Sequence, residues 1–71
     1  MIKEILNGDF MDYRIVQDEC RKCGMKRVEI KMRREREGIK TLEVATRTGE
    51  KIWLWYDPDQ IWNKYNERKD H

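Results

Sequence analysis

Apolar residues fall along this chain at two different spacings. From Lys26 to Arg33 they alternate strictly, with Val28, Ile30 and Met32 facing one way and Arg27, Glu29, Lys31 and Arg33 the other. A period of two marks a half-buried strand. Ile39 to Thr46 repeats the pattern with Leu42 and Val44, and Lys51 to Tyr56 repeats it with Ile52, Leu54 and Tyr56. Asp12 to Gln17 alternates more loosely but is rich in β-formers, which predicts a further strand at the start. The two ends of the chain have helical spacing. Ile2, Ile5 and Leu6 share a helical face before a stop signal at Asn7-Gly8, which predicts a short N-terminal helical turn. Asp57-Pro58-Asp59-Gln60 joins an N-cap, a first-position proline and a capping-box-like Gln, and predicts a helix from Pro58 to Arg68 with Ile61, Trp62 and Tyr65 as its stripe.

The turns test this reading. Arg47-Thr48-Gly49 has the signature of a three-residue hairpin loop with Gly in the left-handed position. Such a loop pairs Thr46 with Glu50, Val44 with Ile52 and Leu42 with Leu54, so the four aliphatics share a face. A five-residue loop at 34–38, closed by Gly38, would pair Ile30 with Leu42 and Val28 with Val44. Both turns then place even-numbered residues from 28 to 56 on one apolar face. The predicted fold is α+β, mainly β: a four-stranded antiparallel meander with a C-terminal helix and a short N-terminal helical turn, in one small domain over residues 1–71.

Composition narrows the picture. Charged residues make up 42% of the chain and apolar ones 38%. A chain of 71 residues can bury only a small core, so a metal staple or a second copy would add stability. The net charge is +2 but unevenly spread: residues 21–40 carry nine positive and three negative charges, against two and five in residues 1–20. A basic block of this kind suits a nucleic-acid backbone or an acidic protein surface. There is no apolar run of membrane-spanning length and no signal-peptide pattern, so a cytoplasmic location is expected. In that compartment two cysteines stay reduced, which favours metal over disulfide.

Cys20-Arg21-Lys22-Cys23-Gly24 followed by a strand-like run resembles one knuckle of the zinc-ribbon family. The resemblance implies Cys20 and Cys23 as two ligands of a zinc ion. Zinc ribbons carry a second C-x-x-C on another hairpin, and this chain has none. A four-ligand site would therefore draw on His71, on Asp18 or Glu19, or on a homodimer whose knuckles share one ion. A redox C-x-x-C is a second reading, with Arg21 and Lys22 lowering a thiol pKa, and two ordinary cysteines are a third.

The odd-numbered face would bring Arg27, Lys31 and Arg33 beside Lys51, Trp53 and Trp55. Cations among flat aromatics suit RNA or single-stranded DNA, phosphates meeting Lys and Arg while bases stack on indoles. Coverage of both Trp by the N-terminal segment is the competing arrangement. With one terminal His, no Ser and no phosphate-binding Gly loop, no enzyme is expected. The expected function is a small nucleic-acid-binding module. The alternative is a protein-interaction module that regulates or inhibits a larger nucleic-acid enzyme, in the manner of phage-encoded regulators.

Overall fold

Asp12 starts a helix where alternation predicts a strand. The computed structural model describes residues 1–69, with side chains through residue 66. The chain runs α1 (Ile2–Leu6), β1 (Met11–Asp12), α2 (Tyr13–Lys22), α3 (Arg27–Glu37), β2 (Lys40–Ala45), β3 (Lys51–Tyr56) and α4 (Pro58–Lys69). The Asp12 carboxylate accepts a hydrogen bond from the Arg14 backbone N–H at 2.9 Å, satisfying an amide that the first helical turn leaves open. Tyr13, Val16, Gln17 and Cys20 then follow at helical spacing, and Val16 and Cys20 are fully buried.

The run from Lys26 to Arg33 is helical as well. The Lys26 N–H donates to the Glu29 carboxylate at 3.4 Å, and the Arg, Glu, Lys and Met that fill α3 are good helix formers. Of the alternating trio only Ile30 is buried, at 2% exposure, while Val28 and Met32 are 68% and 57% exposed. A strand would have turned all three to one side; a repeat of 3.6 residues separates them. The four-stranded, mainly β meander is thus corrected to a three-stranded antiparallel sheet in the order β1-β3-β2, with four helices among the described residues.

The β2–β3 hairpin has the expected register. Leu42 pairs with Leu54 and Val44 with Ile52, and the Thr46 N–H donates to the Glu50 carbonyl at 2.7 Å. Gly38 closes a helix rather than a strand–strand loop. At φ 72° it donates its N–H to Glu35 O while Ile39 N–H reaches Arg34 O, the paired bonds of a Schellman ending.

The core is formed by Ile2 and Leu6 of α1, Val16 and Cys20 of α2, Ile30 of α3, Ile39, and Trp55 of β3. Trp55 is odd-numbered, so the helical layer lies on the face expected to be open. The even face is the open one: Leu42 and Val44 are 42% and 37% exposed. The reversal has a physical cause. Once residues 13–37 are helical they need a sheet face to cover, and the large indole of Trp55 fills the space beneath them. Two side chains tie the ends of the helices together. The Glu37 carboxylate accepts from the amino terminus and from the Ile2 and Lys3 N–H groups at 3.0–3.2 Å, capping α1. The Gln60 amide joins Lys3 O to Gly8 N. No helix among the described residues is long and apolar enough to cross a membrane.

Candidate nucleic-acid interface

The segment that resembles a knuckle is the end of α2 and the turn after it. Gly24, at φ 87°, donates to Arg21 O at 2.9 Å, and Met25 N–H reaches Cys20 O at 3.2 Å. This is a second Schellman ending, and its left-handed residue is one that Gly adopts without a Cβ clash. Residues 23–26 are all that separates α2 from α3, and the two helices pack on each other. Two helices joined by a three- or four-residue turn with a Gly share the connection of a helix-turn-helix. The β2–β3 hairpin follows directly. Arg34 links it to α3, its Nη2 donating to Thr41 Oγ1 at 2.6 Å.

The same turn separates the cysteines. Cys20 is wholly buried with Ile2, Leu6 and Val16, whereas Cys23 is exposed at the end of α2. Burial first, then the neighbouring Cys23 and Glu37, pushes the Cys20 thiol pKa up. A thiol held protonated in an apolar cluster is a poor zinc ligand and a poor nucleophile. Among the described residues no three of His, Cys, Asp and Glu gather into a metal-binding group. Cys20 and Cys23 therefore do not fit the ligand pair of a zinc ribbon. His71, the proposed extra ligand, lies outside the described residues.

The six surface residues expected on one sheet face are divided among three places. Arg27, Lys31 and Trp55 border one hollow of about 340 Å³, with Gln17, Arg21, Val28, Ile30 and Arg34 also lining it. Trp55 is its floor and is 7% exposed, so it offers no free face for a stacking base. The Arg34 guanidinium lies over that indole, 5.1 Å from the ring centroid, in a cation–π contact. Its Nε is buried without a hydrogen-bond partner. Arg33 is on another flank of α3, near Met32 and Arg36. Lys51 and Trp53 are at the other end of β3. Lys51 pairs with Glu43 at 3.0 Å, and Trp53 is 41% exposed and meets Tyr13 edge-on.

Arg21, Arg34, Val28 and Met32 were missed as site residues. Helical spacing holds the signal, because 27, 31 and 34 lie on one side of a helix. The charge pattern supports their grouping. Lys22 is paired with Asp18 and Glu19, and Lys51 with Glu43. Arg21, Arg27, Lys31, Arg33, Arg34 and Arg36 form no ion pair among the described residues. Positive charge is thus in excess on α3, which carries five cations and three carboxylates, and Arg21 adds to it at the end of α2. Compared with known proteins, the chain matches no family model, no curated protein and no solved structure.

Proposed function

We propose that this chain is a small DNA-binding module that lays α3 in the major groove of a duplex, with the β2–β3 hairpin alongside. The observation that carries this reading is the outer surface of α3. Val28 and Met32 are more than half exposed, one helical turn apart, beside the row of unpaired cations Arg27 and Lys31. Exposed apolar side chains are a poor choice for a merely solvated helix. They suit the edges of bases, where a thymine methyl is an apolar target and Arg or Lys bonds to guanine. Arg21 flanks that surface and suits a phosphate, a contact that sets position without reading sequence.

The choice of duplex over single strand follows from Trp55. The single-strand reading needs two open indoles, and Trp55 is covered by Arg34. Trp53 with Lys51 remains a smaller surface on which that reading would rest.

The test is fluorescence anisotropy with a random-sequence duplex, its separated single strands and the matching RNA, at low salt. Duplex DNA is expected to bind most tightly, with a log–log salt slope of roughly −3 to −5 for four or five phosphates neutralised. The charge reversal Lys31→Glu is expected to weaken binding by tenfold or more, and Lys51→Glu by much less. Preference for single strands, or a loss confined to Lys51→Glu and Trp53→Ala, would replace this reading by the single-strand one.

A further inference from the structure

The open face of the sheet is an apolar feature that DNA binding leaves unused. Leu42 and Val44 of β2 pair in register with Leu54 and Ile52 of β3, so four aliphatics form one block. The two on β2 are 42% and 37% exposed. We propose that this block is the contact between two copies of the chain, packed sheet to sheet about a two-fold axis.

Charge identifies the second copy as the occupant. Lys40 and Glu50 have the same parity as the aliphatics and stand at opposite ends of the block: Lys40 pairs across from Tyr56, and Glu50 meets Thr46 beside the hairpin loop. Neither forms an ion pair among the described residues. A two-fold axis in the plane of the sheet and perpendicular to its strands turns one sheet over and reverses its direction. Lys40 of each copy then meets the Glu50 end of the other, and the aliphatic blocks close between these charged ends, with the Asp12–Arg14 pair beside Leu54 at the β1 edge internally neutralised. The other in-plane axis, along the strands, would gather both Lys40 side chains at one end and both Glu50 side chains at the other. The face is therefore self-complementary in one orientation, as an isologous contact requires. A partner of uniform charge would match only one end.

The contact leaves α3 free, because α3 is linked to the opposite face through Arg34 and Trp55. It is also small. Strands of six residues are ~20 Å long, and a face two or three strands wide falls short of the ~800 Å² per partner of a stable complex. The dimer is accordingly weak, half-dissociated on the order of 10 µM.

Sedimentation equilibrium of the full chain between ~1 and ~500 µM spans that range. A monomer–dimer equilibrium is expected, and Leu42→Glu should abolish it while far-UV circular dichroism stays unchanged. Lys40→Glu or Glu50→Lys alone should weaken the dimer about tenfold, and the two together should restore it, since the pairing is only inverted. A monomer throughout, a dimer that survives Leu42→Glu, or single reversals that the double variant does not rescue would each overturn the proposal. DNA binding is read separately, so a failed dimer leaves the proposed function standing and a failed DNA titration leaves the dimer standing.

Discussion

Trp55 and Leu54 are neighbours in β3 and point to opposite faces of one sheet. Trp55 meets α2, α3 and the guanidinium of Arg34, and is almost fully covered. Leu54 pairs with Leu42 in a block whose β2 side is open. The buried face combines one large indole, a cation and helices. The open face has several medium aliphatics and opposite charges at its ends. The difference shows that the amount of apolar surface does not decide which side of a small sheet becomes core. The shape of the element available to cover it does: helices with short apolar stripes at Val16, Cys20 and Ile30 fit around one protruding ring better than across a flat row of branched side chains.

The largest effect should come from breaking the covered face. Trp55→Ala is expected to cost about 3–5 kcal/mol, enough to unfold much of the population of so small a domain. Trp53→Ala, at a residue 41% exposed in the same strand, should cost under about 1 kcal/mol. Urea denaturation of both variants checks the contrast, and equal losses would mean that the covered face is wrongly assigned. Next in size is the cysteine pair. Cys20→Ser places a hydroxyl without a partner in the cluster of Ile2, Leu6 and Val16 and is expected to cost about 1–3 kcal/mol. Cys23→Ser should stay within about 0.5 kcal/mol. A zinc site at the two thiols would instead make both substitutions costly and both dependent on metal.

Glu37 gives the smallest of these effects and has a pH signature. Burial raises its pKa, but the hydrogen bonds from Lys3, Ile2 and the amino terminus together outweigh burial and leave it below the usual 4.5. A carboxyl with a folded pKa below its unfolded one contributes its full stability above the unfolded value, and loses it as pH falls towards the folded one. Stability should therefore decline on acidification below about pH 4.5, with Glu37 as one contributor. Glu37→Gln should reduce stability at pH 7 by about 1–2 kcal/mol and flatten that decline. A variant whose acid profile matches the parent would remove Glu37 from the set of responsible groups.

The hairpin and the positions of the two end helices are legible in the sequence. Trp62 and Tyr65 of the expected stripe, however, are 62% and 52% exposed, and Gln60 bonds Gly8 and Lys3 rather than closing a capping box. Arg47-Thr48-Gly49 fixed the register from Leu42 to Leu54 because a turn type and a side-chain period agreed. Asp57 acts as the N-cap expected of it, accepting from the Asp59 N–H at 3.1 Å. Between Asp12 and Glu37 side-chain alternation does not reflect the backbone. Val28, Ile30 and Met32 satisfy a period of two over only five residues, and the Arg, Glu and Lys around them favour helix. Cys20 to Gly24 also suits a turn between strands. The turn is there, but it ends a helix, because a left-handed Gly serves both purposes. The candidate site followed the same division. Arg27 and Lys31 remain together, since residues four apart share a side of a helix and residues an even number apart share a side of a strand. Lys51 and Trp53 are separated from them, and Trp55 goes under them.

A titration of isotope-labelled protein with a short DNA duplex, followed by amide and indole NMR, tests the central claim most directly. The expected result is that the largest shifts fall on residues 24–34 and on the loop at 46–50, with the Trp53 and Trp62 indoles little changed. Shifts concentrated on Trp53 and Lys51, with α3 silent, would contradict it.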